Sequence, residues 1–207
     1  MKLYTFPRAP NPRRVEIFLA EKGVDIPRTN VDLGQMEHSS AAFAEINPLQ
    51  RVPVLELDDG TRIAESIAIC RYLEELHPDP PLFGTDARGR ALVEMWQRHA
   101  ELHLFQPVTF VFRHLHPAMA KMEVPQIPDW GEANKPRAMK ALAWLDAELA
   151  ERAFIAGENY SVADITVLVA LDFMKPAKLA VPDNLSNLAR WRDEVAGRPA
   201  IVAMKAA

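Results

Sequence analysis

Pro78-Asp-Pro-Pro81, followed closely by Gly84, cuts the 207-residue chain at the point where its hydrophobic pattern changes period. A helix cannot run through such a segment, because each proline lacks an amide donor and clashes with the turn before it. Before the break, strand-like runs at 2–6, about 28–32, 52–57 and 61–64 alternate with helix-like runs at 13–22, about 39–46 and 66–76. That order is a βαβ unit followed by a hairpin and a helix, with Asp58-Asp-Gly60 as the hairpin turn. After the break nearly everything carries helical spacing, at 87–115, 132–151, 162–173 and 185–196. The pattern predicts an α/β domain over 1–77, a linker over 78–86 and an all-helical domain over 87–207.

Composition narrows the function classes. A net charge of −4, with no run of five or six like charges, gives no electrostatic footprint for nucleic acid. The longest strongly apolar stretch, Ile165 to Met174, has Asp172 inside it and falls well short of the ~18 residues that suggest a membrane span. The N-terminus enters a strand at once without a signal-peptide core, so the expected location is the cytoplasm. The single cysteine, Cys70, excludes an intrachain disulfide framework. It shares helical spacing with Ile67 and Leu73, which reads as a small buried core residue. His99-Ala-Glu-Leu-His103 places two imidazoles one turn apart, but the glutamate is misplaced for a zinc motif and no third ligand is evident, so no metal is expected.

The joint Arg8-Ala-Pro-Asn-Pro-Arg-Arg-Val15 carries the chemistry. Pro12 suits the first turn of a helix and Gly23 its end, so residues 7–12 form the entry to a helix N-terminus. Such an entry presents unpaired backbone N–H groups and a partial positive charge, to which Arg8, Arg13 and Arg14 add. Surroundings of this kind can lower a thiol pKa from ~8.5 to ~7.5 or below. No cysteine lies there, so a thiolate held at this joint must arrive with a ligand. Further along, Val52-Pro53 precedes a strand, and proline leaves the backbone of Val52 available to an extended ligand. In Ala64-Glu-Ser-Ile67, Ser66 is the expected N-cap of the next helix, a role compatible with holding a ligand carboxylate.

In this order and spacing, the proline-rich joint, Val52-Pro53 and Glu65-Ser66 resemble the cytosolic glutathione S-transferases. The resemblance covers essentially the whole chain. It includes Gly157-Glu-Asn-Tyr-Ser-Val-Ala-Asp164, where Ser161 and Asp164 are similar to the capping box of the family's central helix and Tyr160 and Ile165 occupy hydrophobic-staple positions. It implies a thioredoxin-like N-terminal domain, a helical C-terminal domain and a homodimer.

The resemblance further implies that glutathione is the co-substrate and supplies the thiol. Val52 would pair its backbone with the cysteinyl part, Pro53 would be the family's cis proline, Ser66 would hold the γ-glutamyl carboxylate and Glu65 the γ-glutamyl ammonium. His38 and Gln50 fall where delta- and theta-like members contact the glycyl end; for His38 a plain surface histidine is the other reading. The position of the serine-type catalytic residue matches Ala9, which has no donor. Asn11 instead resembles the asparagine of the Thr-Pro-Asn loop in nu-like bacterial members, and its amide can stabilise the thiolate; the alternative is a turn or cap residue. The segment around His103 is similar to a helix of beta-like bacterial members whose histidine faces the active site. His103, with Phe110 and Arg113, would then line the electrophile pocket, or His103 is simply a partly buried histidine. The activity implied is conjugation of glutathione to small hydrophobic electrophiles. Reduction of disulfides or peroxides at the same site, or a non-catalytic glutathione-binding regulatory role, are the alternatives.

Overall fold

Four short strands set the frame of the first unit: β1 (Lys2–Thr5), β2 (Arg28–Asn30), β3 (Val54–Glu56) and β4 (Arg62–Ala64). The computed structural model describes residues 1–206. The sheet order is β2-β1-β3-β4, with β1 and β2 parallel and the other two pairings antiparallel. This is the βαβ unit plus hairpin read from the sequence, and the thioredoxin-like arrangement. Helices α1 (Pro10–Lys22), α2 (Ala41–Ile46) and α3 (Ser66–Leu76) complete the unit. Val15, Phe18 and Leu19 of α1 and Ile69, Cys70 and Leu73 of α3 are essentially inaccessible to solvent. Full burial of side chains of this size contributes about 1.5–3 kcal/mol each. Cys70 is thus a core residue, and burial pushes its thiol up to about 12.

α1 starts at Pro10, three residues earlier than its hydrophobic pattern suggests. The first turn needs no amide donors, so prolines at the first and third helical positions cost nothing there. Gly23, at φ 63°, closes the helix in the left-handed conformation and returns its N–H to Ala20 O and Leu19 O. At this same end, Lys22 Nζ lies 2.5 Å from Glu74 Oε2 and donates to Pro80 O at 2.5 Å, while Glu74 Oε1 accepts from Leu82 N at 2.9 Å. The proline-rich stretch is therefore tied to α1 and α3, and the first unit extends to Leu82.

The second unit runs from Phe83 to Pro199 and is helical. It contains α4 (Ala87–His99), α5 (Gln106–Leu115), α6 (Pro128–Glu148), α7 (Val162–Met174) and α8 (Ser186–Ala196). Asp86 caps α4, its carboxylate accepting from Gly89 N at 2.7 Å. The stretch expected as one helix over 87–115 is interrupted by a π turn at Ala100–Phe105. Pro107 accounts for its place: a helical proline cannot bond to the carbonyl four residues back and crowds it, and a widened turn just before relieves the clash. α6 begins at Pro128, four residues before the expected start, again with proline at the first helical position. A ninth helix, α9 (Pro199–Ala206), lies beyond the elements expected from sequence, and from Ala200 onward the chain groups with the first unit.

α7 is the centre of the helical unit. Every residue from Val162 to Leu171 is buried, as its unbroken apolar pattern requires. The capping box forms: Asp164 accepts from Ser161 N at 2.8 Å and Ser161 Oγ at 3.0 Å. The same carboxylate also accepts from Ile155 N at 2.9 Å and Trp191 Nε1 at 2.8 Å, tying α7 to the preceding loop and to α8. Burial pushes Asp164 up to about 6 despite these donors. Among the described residues no helix is long and apolar enough to cross a membrane.

Candidate active site

The register of the sheet gathers the site. Tyr4 pairs with Val54, and Val54 with Ala64, so these three residues form one row across β1, β3 and β4. β1 leaves this row towards α1, β3 enters it from Val52-Pro53, and β4 leaves it into Glu65-Ser66. Antiparallel pairing thereby brings three stretches distant in sequence to one end of one sheet.

Asn11 is the second residue of α1, and not its cap; Ala9 occupies the N-cap position with no side-chain hydrogen bond. Ala9 N donates to Phe6 O at 2.9 Å, and Arg13 N bonds back to Ala9 O at 3.2 Å. Pro10 and Pro12 have no amide hydrogen. The first turn therefore presents one backbone N–H without an intrahelical partner, that of Asn11. Asn11 is exposed, and its Oδ1 accepts a hydrogen bond from Arg14 Nη2. With the oxygen so engaged, the amide NH₂ of this exposed side chain remains as a donor. Arg14 itself is buried, 2 % exposed. The sequence reading counted it only as one of three positive charges.

The Val52–Pro53 bond is cis. Among the described residues the backbone N–H and carbonyl of Val52 take part in no hydrogen bond, and β3 begins two residues later. Asn47 shapes the loop before it. Buried, it donates from Nδ2 to Arg51 O at 2.8 Å and accepts from Leu49 N at 3.1 Å, while its carbonyl accepts from Gln50 N at 2.8 Å. Gln50 is held at φ 53°, unusual for a residue with a Cβ. His38 is buried, 5 % exposed, which departs from the surface-histidine reading. Its Nδ1 has no hydrogen-bond partner, and burial, then the positive charge of Arg51, lowers its pKa and keeps the ring neutral.

Ser66 is buried but is the first helical residue of α3; the cap position falls to Glu65, with no side-chain cap bond. The expectation of a serine cap is corrected. The reason is the backbone of Glu65, which at φ 71° and ψ 119° turns the chain into the helix one residue earlier. A non-glycine residue in this region stores about 1–3 kcal/mol, which the surrounding structure must impose. The gain is a helix N-terminus whose first N–H groups, next to the Ser66 hydroxyl, have no intrahelical acceptor.

In the helical unit a cavity of about 660 Å³ opens between two walls. The π turn and α5 contribute Leu102, His103, Gln106, Pro107 and Phe110; α6 contributes Trp130, Arg137, Lys140 and Trp144. His103 and Phe110 thus share one cavity. Arg113 is not part of its lining: its Nε is drawn to Glu123 Oε2 at 2.5 Å, a partner ten residues on in the following loop. The second histidine of the pair, His99, also lines it, its ring centroid 5.9 Å from that of His103. Among the described residues no cluster of three or more His, Cys, Asp or Glu side chains is arranged to hold a metal.

The family model described as "Glutathione S-transferase, N-terminal domain" matches residues 1–75, and "Glutathione S-transferase, C-terminal domain" matches residues 129–199. The curated "Glutathione S-transferase 2" of Saccharomyces cerevisiae is 36 % identical over 204 residues, 97 % of this chain and 88 % of that protein. The chain belongs to the glutathione S-transferase family. Among solved structures, a glutathione S-transferase domain-containing protein of Marinobacter aquaeolei superposes with a TM-score of 0.94 at 41 % identity, covering 97 % of this chain and all of that one. Gtt2 of S. cerevisiae superposes with the same TM-score at 36 % identity, over 99 % of this chain and all of that one.

Within this glutathione S-transferase, sequence reasoning missed Arg14, Asn47 and the whole α6 wall of the cavity. The last was open to detection. Trp130, Asn134, Arg137, Ala141 and Trp144 recur at intervals of three and four, a stripe that mixes aromatic rings with a cation where a core face would be aliphatic.

Proposed function

We propose that this glutathione transferase binds glutathione extended across the end of the sheet in its first unit and conjugates it to small hydrophobic electrophiles. Val52 pairs its free backbone groups with the cysteinyl residue, next to the cis Pro53. The Ser66 hydroxyl and the N-terminus of α3 hold the γ-glutamyl carboxylate, and Glu65 takes the ammonium. Gln50 and His38 face the glycyl end, His38 as a neutral ring. Asn11 stabilises the thiolate with its backbone N–H and its side-chain amide, and Arg14 is a positioning residue that fixes the amide's orientation. The placement of Asn11 is the observation that carries this reading. In the reaction the thiolate sulfur forms a bond to the electrophilic carbon, the leaving group departs with its bonding pair, and the thiol proton has already gone to solvent. His103 and Phe110 of the helical unit contact the electrophile, whereas Arg113, paired with Glu123 outside the cavity, has no part in it. The exposed Leu92 and Met95 of α4 support a homodimer, and a single buried thiol suits a cytoplasmic protein.

The test is an ultraviolet titration of the thiolate of bound glutathione in the parent and in Asn11→Ala. The expected result is a bound thiol pKa well below that of free glutathione, moving back up in the variant while affinity changes little. Ala9, a cap without a donor, favours a second reading: a glutathione-binding protein without conjugating activity. Binding with an unshifted thiol would select it.

A further inference from the structure

The cavity in the helical unit has a one-sided chemistry. Its walls are aromatic: Trp130 and Phe110 lie with ring centroids 5.9 Å apart and planes tilted by 56°, and Trp144, which also lines it, is backed by Trp96, stacked on it at 5.1 Å. Its charges are all of one sign. Arg137 and Lys140 line it, and no carboxylate does. Among the described residues neither cation forms an ion pair. The nearby basic residue Lys135 differs in this respect, being satisfied by Glu132 at 2.8 Å. Arg137 lies with its guanidinium carbon 4.7 Å from the centroid of the Trp130 ring, which holds the charge beside the aromatic wall. Gln106 and His103 add polar groups opposite.

Two cations without ion-pair partners in an aromatic-walled cavity of about 660 Å³, one of them over the Trp130 ring, make a site for a flat molecule with an acidic edge. We infer that this cavity selects planar aromatic anions, such as a ring bearing a carboxylate, over their neutral counterparts. The ring lies against the wall formed by Trp130, Phe110 and Trp144, and the anion meets Arg137 and Lys140. The inference rests on the reading that His103 and Phe110 serve the electrophile, and narrows "small hydrophobic electrophile" to one with a negative group. When such a ring carries chlorine ortho to a nitro group, the glutathione sulfur bonds to the chlorinated carbon, chloride leaves with the pair, and the acidic group is untouched.

The test compares meta-nitrobenzoate with its neutral isostere meta-nitrobenzamide, followed by quenching of tryptophan fluorescence, since Trp130 and Trp144 stand in the cavity wall. The parent should bind the benzoate about tenfold more tightly, the scale expected of two partly exposed charge contacts. In a variant with Arg137→Gln and Lys140→Gln together, that preference should vanish while benzamide affinity holds, the latter showing that the cavity is intact. Equal binding of the two probes by the parent, no binding of either, or a preference that survives in the variant would each overturn the inference. Conjugation of the corresponding chloronitrobenzoate is scored separately. A binding preference without conjugation refutes the transferase reading and leaves the cavity's selectivity standing. Conjugation of the benzoate and the benzamide at equal rates, each corrected for its spontaneous reaction, does the reverse.

Discussion

Replacing Asp164 by alanine strikes a single carboxylate that serves four donors. Ile155 N–H, Ser161 N–H and Trp191 Nε1–H would all stay buried with no acceptor in place, and the capping box would open. An orphaned buried donor costs about 1–3 kcal/mol and a lost cap about 1 kcal/mol. Adding at the low end, because some donors will find water in the vacated space, gives about 4 kcal/mol. That is a large part of the ~5–15 kcal/mol that holds an ordinary domain folded. Asp164→Asn should cost about half as much, since Oδ1 can still accept from Ile155 and Trp191 and only the Ser161 side is lost. Urea denaturation at neutral pH, read by the fluorescence of Trp191 and by circular dichroism, measures both. The order Ala worse than Asn worse than parent is the signature of the network. A loss below about 1 kcal/mol for Asp164→Ala would refute the reasoning, because it would mean that the donors never depended on this carboxylate.

Asp164 also has a pH signature. Its folded pKa of about 6 lies above the ordinary 3.8, so the native state binds more protons between these values and stability contributed here falls as pH rises through that window. Relative to Asp164→Asn, the parent should lose up to roughly 3 kcal/mol from about pH 4 to 6, measured as the difference between the two denaturation curves. Ser66→Ala should weaken glutathione binding about tenfold or more in calorimetric titration, as befits a hydrogen bond to a charged group. Its denaturation midpoint should barely move, since Glu65 holds the cap position. Cys70, buried and pushed up to about 12, should resist iodoacetamide in the native protein and react only in denaturant, which mass spectrometry will show.

Periodicity and proline placement made the succession of elements and the two-part division legible, because turn residues separate the strands and the break at Pro78 parts two textures, whereas the sheet order β2-β1-β3-β4 is set by pairings that no local pattern carries. What escaped were effects of one side chain on its neighbour's backbone. The helix-like run of α1 starts at Arg13, but prolines at 10 and 12 let the helix begin at Pro10, which moved Asn11 from loop to helix. Ser66 is the better capping residue by chemistry, yet Glu65 takes the position because the chain enters α3 through a positive φ that no local pattern announces. Pro107 was visible inside a helical run, but the π turn it accompanies was not inferred from it. Arg113 and Phe110 fall on adjacent turns, and only the tertiary partner Glu123 distinguishes their destinations. The three stretches of the proposed glutathione site stand out in the sequence, whereas Arg14 and Asn47, which bond to residues within them, look like ordinary polar residues until their hydrogen bonds are drawn.

α1 has a determinate job at each end: Asn11 beside the sheet terminus, and Lys22 gripping Glu74 and Pro80. Between them lies a rigid rod of helix. Its 13 residues set a distance of about 18 Å and, no less strictly, an angle, since every added or deleted residue rotates one end by about 100° relative to the other. A single insertion would swing either the amide away from its station or the ammonium out of its fully buried seat. The helix is therefore a gauge as well as a packing element, and its length is fixed by two fittings that must be in phase.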